Sequence, residues 1–221
     1  MEEPIQNQNS QESGPEIEVI FNYSIEDEIE RVEMALKKYE WYKENGYKIG
    51  FPALIQEKLD KGEEISKDDI LKAVSDEFNS NQNTEQIALL REGWDKMKDS
   101  FFENLKTLGL TLQEKYFVSL SKYGTAGSYG LPNNIILNTE RTKWPSYIIA
   151  HEIVHLTIES LIKEYNITHW SKERLVDLIM NKFFPENQKL QRDPENSIQI
   201  SEIFEGNYPD IRKIIFQISQ Q

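Results

Sequence analysis

The residues of this chain best suited to chemistry are two histidines four positions apart, His151 and His155, in the segment HEIVH. In an α-helix, residues four apart share a face and lie about 6 Å apart along the axis, so two imidazoles can bind one metal ion. Glu152 is displaced around the helix, where its carboxylate can act as general base on a metal-activated water without coordinating the metal. The pattern predicts either a hydrolytic metal site or two hydrogen-bonded core histidines.

The composition and the flanking residues favour the metal site. With three histidines in 221 residues, chance alone produces such a pattern with a probability of only ~0.7%. Apolar and uncharged side chains surround the motif from Ile148 to Ile158, which predicts a helix buried on most sides. A buried polar cluster needs partners, and a metal ion would be one. The chain contains no cysteine, so its metal ligands must be His, Asp or Glu.

The third ligand is expected downstream, where ERLVD places Glu173 and Asp177 four apart on one helix face. His169 is the alternative, because imidazole is also a good zinc ligand. Ser171 has the character of a helix N-cap, which predicts that His169 lies on a loop and Glu173 in the first helical turn. A carboxylate is favoured in that turn by the helix dipole. The pattern therefore favours Glu173 as ligand, with Asp177 as a carboxylate that accepts a hydrogen bond from a ligand histidine.

A hydrolytic site also needs a hydrogen-bond donor for the oxyanion that develops on the scissile carbonyl. Tyr165 and His169 are candidates, because they lie between the two predicted ligand helices. Tyr123, Tyr129 and Tyr147 stay open as alternatives. Each of these side chains is also a candidate for ordinary packing.

The motif HEIVH, followed by the E-x-x-x-D of Glu173 and Asp177, resembles the gluzincin clan of zinc metallopeptidases. The resemblance implies that His151, His155 and Glu173 bind Zn²⁺. It also implies that Glu152 is the general base and acid, and that Asp177 orients His151. The substrate would then be a peptide or a protein.

The resemblance covers roughly residues 84–184, under half of the chain. It implies a minimal zincin-like core with a backing helix, short antiparallel strands, the HExxH helix and the glutamate helix. Two features depart from the clan's pattern: the spacing to Glu173 is slightly shorter than in thermolysin-like members, and Thr157 stands where an apolar residue is preferred. The fold class is predicted as α+β and mostly helical.

The chain that must position this motif divides into four predicted regions. The first is a disordered tail at residues 1–16, which is polar and has too few apolar side chains to offset the entropy lost on ordering. The second is a helical N-terminal region at 17–83, and the third is the zincin-like catalytic core at 84–184. The last is a C-terminal extension at 185–221 with a short helix.

Capping signals and apolar periodicity predict the N-terminal helices. Ser24 and Asp27 form a capping-box pattern that opens an amphipathic helix ending near Asn45, and Ser66 opens a second through Phe78. The polar run NSNQNT predicts a break before a third helix from about 84 to 108.

Two short strands are predicted next, at residues 116–120 and 134–138, joined by a hairpin connection that contains YGTAGSYG. The glycines of this connection lack the spacing and the lysine of a phosphate-binding loop. If the second strand, NIILN, forms the sheet edge above the cleft, its free backbone groups could pair with an extended peptide.

The C-terminal part is predicted to be helical. Pro145 suits the first position of a helix that runs to about Glu164 and contains HEIVH. A further helix follows from Ser171, and a last amphipathic one follows Pro209. The segment from Asn187 onward is too short for its own core and is predicted to pack on or near the cleft and restrain access.

The charge of the chain bears on its partners. The sequence has 38 acidic and 25 basic residues, a net charge of −13, spread along its length. Phosphate binding needs clustered Lys and Arg, so nucleic acid is not an expected partner. Basic peptides would be attracted weakly, or the acidity serves only solubility. The chain shows no signal peptide and no membrane-spanning stretch, which predicts a soluble, cytoplasmic protein without a membrane partner.

The predicted function is peptide-bond hydrolysis by a zinc metallopeptidase. Two alternatives from other classes stay open. One is a zincin-like fold that binds a partner without turnover, with the N-terminal helices as its contact surface. The other is a helical interaction protein without a metal. The sequence does not determine the oligomeric state.

Overall fold

The computed structural model describes residues 17–187 and 196–221, so the predicted tail at residues 1–16 lies outside the described part. These ranges form a mixed α+β structure with ten α-helices and one four-stranded sheet, which confirms the predicted mostly helical α+β class. Among the described helices, none combines the length and the apolar character needed to cross a bilayer.

The four strands form one mixed sheet in the order β1-β2-β4-β3. β1 runs parallel to β2 and β2 parallel to β4, whereas β3 pairs antiparallel with β4. The prediction of short antiparallel strands is therefore wrong for two of the three pairings. The strands are β1 (Glu18–Asn22), β2 (Lys115–Ser121), β3 (Gly127–Gly130) and β4 (Asn134–Asn138).

The glycine-rich segment between β2 and β4 is not the simple hairpin connection that was predicted. It contains β3 itself, so the hairpin joins β3 to β4 and not β2 to β4. Glycine is poor at forming strands, which is why GSYG reads as a turn, but pairing with the apolar strand β4 stabilises it. NIILN lies inside the sheet, so the condition for its pairing with a peptide is not met, and β3 is the edge strand on that side.

Four helices follow β1 in the N-terminal region, although β1 and the third of these helices were not predicted. Ser24 caps the first helix by accepting a hydrogen bond from the Asp27 backbone N–H at 3.1 Å, and Ser66 forms a full capping box with Asp69. The single helix predicted to reach Asn45 is broken at Lys38. The helices are α1 (Ile25–Lys37), α2 (Tyr39–Glu44), α3 (Ala53–Lys61) and α4 (Lys67–Glu77).

The next two helices are α5 (Ser80–Asp95) and α6 (Lys98–Lys106). The predicted polar break at residues 79–84 is wrong, because the backbone is helical from Ser80 and the break falls after Asp95 instead. Leu90 and Trp94 of α5 are buried in the main core. Packing of its later turns stabilises α5 as a whole, although the sequence of its first turns has weak helix propensity.

The last four helices are α7 (Pro145–Glu164), α8 (His169–Phe183), α9 (Ser197–Asn207) and α10 (Ile211–Ile218). The bounds predicted for α7 are confirmed, with Pro145 at its first position. The helix after Pro209 is also confirmed, whereas α9 was not predicted.

The buried apolar residues of the described ranges form two clusters. The smaller one joins α1, α3 and α4, with Val32 and Ile55 fully buried. The main core joins the sheet to α5 and the later helices, and it includes Phe204 of α9 and Ile215 of α10, both 0% exposed. These two helices pack on α8 and α7. The apolar faces of α9 and α10 are used in this core, and no described residue from Asn187 onward lines the cleft beside HEIVH. The predicted restraint of access by this segment stays a prediction, and its residues 188–195 lie outside the described part.

Candidate metal centre

The HEIVH histidines lie in the middle of α7, and their side chains meet on one face. The Nε2 atoms of His151 and His155 are 3.0 Å apart, and both side chains are buried. Apolar residues on the other faces of α7 pack into the main core, which confirms the predicted buried helix. Burial of α7 on most sides therefore fixes the direction of the two imidazoles.

α8 brings Glu173 to the same point. Glu173 Oε2 lies 3.7 Å from His151 Nε2 and 3.3 Å from His155 Nε2. One ligand atom from each of the three residues lies within 4.8 Å of the others, so the group could hold a metal ion. The predicted grouping of Glu173 with the two histidines is therefore present in the fold.

The start of α8 differs from the prediction. Thr168 is the N-cap, and its hydroxyl accepts a hydrogen bond from the Ser171 backbone N–H at 3.3 Å. The prediction of Ser171 as cap is wrong, because two hydroxyl residues lie three apart and the first one takes the capping geometry. His169 consequently lies in the first turn of α8, not on a loop, and Glu173 lies in the second turn.

The distances fit a small divalent cation. Tetrahedral zinc with bonds of about 2.0–2.1 Å needs ligand atoms about 3.3 Å apart, and the three separations around this point are 3.0, 3.3 and 3.7 Å. Two nitrogen lone pairs and a carboxylate oxygen converge, an arrangement that a cation between them stabilises. The donor set of two histidines and one carboxylate suits zinc and also other first-row divalent metals.

The pKa shifts favour metal binding at two of the three candidate ligands. Burial lowers the pKa of His155 to about 4, which keeps its imidazole neutral. Burial would raise the pKa of Glu173, but the charges and hydrogen bonds of His155 and His151 outweigh it and hold the pKa well below its usual range. For His151, burial lowers the pKa, but the hydrogen bond with Glu173 and nearby carboxylates outweigh it and raise the pKa. Metal ligands must be deprotonated, which the pKa shifts of His155 and Glu173 favour, whereas the raised pKa of His151 means that a metal ion would have to displace a proton there.

Glu152 lies beside the group, directly under the edge strand. It is 6% exposed, and burial raises its pKa to about 7. A Cβ added at Gly127 of β3 would lie only 2.4 Å from Glu152 Oε1. The β3 backbone thus passes close over this carboxylate, and any side chain at position 127 would require Glu152 or Ile148 to shift. A carboxyl with a pKa near neutrality suits proton transfer.

Asp177 is buried one turn beyond Glu173. Its negative charge contributes to the raised pKa of His151 and, after burial, to the raised pKa of Tyr147, which reaches about 12. Asp177 is therefore close to His151, as the resemblance implied. The Nδ1 of His155, by contrast, has no hydrogen-bond partner in the described part of the chain.

The two predicted oxyanion donors lie in different places. His169 Nδ1 is 3.7 Å from Glu173 Oε1, so His169 borders the three-residue group. Tyr165 is at the end of α7, where its ring packs on Phe216 of α10 with the centroids 6.0 Å apart. It does not line the cleft, because the end of α7 faces the core formed with α10.

Of the alternative tyrosines, Tyr129 of β3 reaches the group. Its ring stacks on His155 with the centroids 4.9 Å apart. Its hydroxyl donates to Glu159 Oε2 and accepts from Lys172 Nζ, both at 2.7 Å. Tyr123 instead donates to Glu77, away from the metal ligands.

The N-terminal region adds aromatic residues that sequence reasoning missed. The Tyr47 hydroxyl lies 2.8 Å from His169 Nε2, and its ring stacks on Trp170. Trp41 packs edge-on against His169. Trp41, Tyr47 and Trp170 thus form an aromatic wall around His169. The segment YEWYKENGY contains more aromatic residues than an amphipathic surface helix needs, and this excess could have indicated the wall.

α1 also supports the edge strand. Arg31 is buried, and its guanidinium donates to Ser128 Oγ at 2.9 Å and Thr125 Oγ1 at 3.1 Å. These bonds connect α1 to β3 and to the loop before it. The N-terminal helices therefore help to hold the strand that covers Glu152.

These parts enclose a cleft of about 640 Å³. The three candidate ligands and Glu152 lie on one side of it, β3 forms a second side, and the aromatic wall with neighbouring lysines forms a third. The lining comprises Lys38, Trp41, Tyr42, Tyr47, Lys48, residues 125–129, Leu131, His151, Glu152, His155, Glu159, Lys163, His169, Lys172 and Glu173.

Comparison of this chain with protein-family models, with curated proteins and with solved structures gives no match.

Proposed function

We propose that this chain is a zinc-dependent metallopeptidase with a gluzincin-like site on a zincin-like core. The observation that carries the proposal is the convergence of His151 Nε2, His155 Nε2 and Glu173 Oε2 at the side of an open cleft. Structural zinc sites normally have four protein ligands, whereas catalytic sites have three and an open position. The described residues supply three ligands, which supports a catalytic site.

Zinc held by these residues would supply a Lewis acid that polarises the scissile carbonyl and makes water more acidic. Glu152 accepts the proton of the attacking water and passes it to the leaving amine, and its pKa near 7 suits both transfers. His169 and Tyr47 are the groups best placed to donate hydrogen bonds to the oxyanion, since both line the cleft beside Glu173.

The edge strand supports a peptide as substrate. β3 pairs with β4 on one side only, so its other edge has backbone groups available to an extended chain. The Gly127 carbonyl already accepts a hydrogen bond from Thr125 Oγ1 at 2.8 Å, so a peptide would use the other backbone groups of this edge. It would pass over Glu152, because the strand backbone lies against that carboxylate. The peptide would thus lie between β3 and the aromatic wall.

Metal content and turnover test the proposal together. We expect about one zinc per chain in the purified protein and loss of that zinc in His155→Ala. Glu152→Gln should keep the metal and lose about 10²- to 10⁴-fold in turnover of an unfolded protein substrate. Glu164→Gln is the matched control, because Glu164 is on the same helix but is exposed and outside the cleft.

Each alternative has its own outcome. Full zinc occupancy in His155→Ala would contradict the site. Zinc in the parent protein without turnover of any peptide pool would favour a binding protein with a zincin-like fold. A preparation that neither contains nor takes up metal would favour a helical interaction protein.

A further inference from the structure

The charge of the cleft is opposite to the charge of the chain. The whole sequence carries −13, but the cleft lining has four lysines and three glutamates. All three glutamates, Glu152, Glu159 and Glu173, are buried. A divalent cation at the metal centre would add two positive charges. A ligand entering this cleft therefore meets a positive surface.

The four lysines divide into two pairs. Lys172 Nζ donates to the Tyr129 hydroxyl and lies 3.9 Å from Glu173 Oε1, and Lys163 Nζ lies 3.6 Å from Glu159 Oε1. Both face a carboxylate that already compensates part of their charge.

The other pair, Lys38 and Lys48, comes from the N-terminal region and flanks the aromatic wall. Both side chains are exposed, and neither forms an ion pair with a described residue. Their ammonium groups are the cations of the cleft that a ligand can neutralise without displacing a protein partner.

We propose that the cleft selects peptide segments with acidic side chains, and that Lys38 and Lys48 recognise those carboxylates opposite the edge strand. This inference rests on the proposed function for the peptide's path along β3. The N-terminal region thus determines which peptides bind, and the metal centre hydrolyses them. The net charge alone would favour basic peptides instead, so the local distribution of charge decides the preference.

Binding to the zinc-loaded Glu152→Gln protein tests the preference without turnover. The probes are two pools of fluorescein-labelled peptides of about ten residues, identical except that Asp at alternate positions in one pool is Asn in the other. Fluorescence anisotropy gives the affinity for each pool. The test variant is Lys38→Ala/Lys48→Ala. Its control is Lys37→Ala/Lys43→Ala, which removes the same charge from exposed neighbours outside the cleft.

We expect the Asp pool to bind more tightly and the Lys38/Lys48 variant to lose about 3- to 10-fold in affinity for it. The Asn pool and the control variant should change little. The preference should fall at about 1 M salt, where the screening length is only about 3 Å. Equal affinity for the two pools, or equal losses in both lysine variants, would overturn the inference. So would a single-stranded oligonucleotide that competes as well as the Asp pool.

Turnover separates this inference from the proposed function. Cleavage of both pools by the parent protein at equal efficiency would retain the peptidase and refute the acidic preference. Preferential binding of the Asp pool without cleavage by the parent protein would retain the preference and refute the peptidase.

Discussion

Gly127→Ala should separate the catalytic function of this site from its metal binding. The change adds one methyl group to β3, 2.4 Å from Glu152 Oε1 and 2.5 Å from Ile148 Cγ2. Ordinary contacts of such an atom start at about 3.4 Å, so the Glu152 carboxylate or the strand must shift by about 1 Å. None of the three candidate metal ligands is among the nearest atoms to this methyl group.

The size of this shift determines the expected loss of activity. Misplacement of a catalytic group by about 1 Å can cost about 10²-fold in rate, so we expect that loss in kcat/KM with zinc content unchanged. Overpacking should lower the free energy of unfolding by about 1–3 kcal/mol. For a chain of this length, that corresponds to a fall in Tm of about 2–12 °C.

The assay compares Gly127→Ala with Gly130→Ala. Gly130 lies on the same strand, but its added Cβ would have only Asn134 Cβ nearby, at 4.0 Å. The control should therefore keep parental activity and lose only a small amount of stability. Zinc content, Tm and kcat/KM are measured on the same preparations.

Two results would refute the reasoning. One is parental kcat/KM in Gly127→Ala, which would show that the carboxylate position does not matter. The other is loss of zinc in Gly127→Ala, which would show that β3 acts on the ligands and not on Glu152. In the Glu152→Gln background the glycine change should have almost no further effect on turnover, because both act on one group.

Two further predictions concern parts that the sequence did not indicate. Phe204→Ala should lower the free energy of unfolding by about 3–5 kcal/mol, since the side chain is fully buried in the main core. Denaturant titration with Phe216→Ala, an exposed residue of α10, as the milder comparison tests this, and equal losses would contradict it. Tyr47→Phe keeps the ring stacked on Trp170 but removes the hydroxyl near His169. It should lower kcat by about 10²-fold with KM and zinc unchanged, and a change in KM alone would refute its role as oxyanion donor.

Local patterns were sufficient for the elements whose signals are short in sequence. The apolar run around HEIVH and the proline before it predicted α7 with its bounds. The apolar strands β2 and β4 and the helix after Pro209 were predicted for the same reason. The capping pair at Ser66 is likewise local, since a side chain and a backbone group three residues apart meet whenever the helix forms.

Elements that depend on distant partners were missed or misplaced. β3 is a strand because β4 pairs with it, and a glycine-rich tetrapeptide gives no sign of that pairing. Parallel pairing of β2 with β4 also needs contacts that no local pattern encodes. The choice of Thr168 over Ser171 as cap was undetermined, because both residues can cap a helix.

The same distinction holds for the candidate site. The sequence by itself determined which residues could bind a metal, because a spacing of four on a helix is enough to place two imidazoles on one face, and the tertiary fold then brought Glu173 to them. Only the tertiary structure decided what surrounds that group: the glycine strand over Glu152, the aromatic wall with Tyr47 and the lysines of the cleft. Tyr47 lies more than a hundred positions before His169 in the chain, and the two come within 2.8 Å only because α1 packs on β2 and Trp41 of α2 packs against His169. Contacts of that sequence separation come from burial and hydrogen bonding of the whole fold, which no short pattern of residues contains.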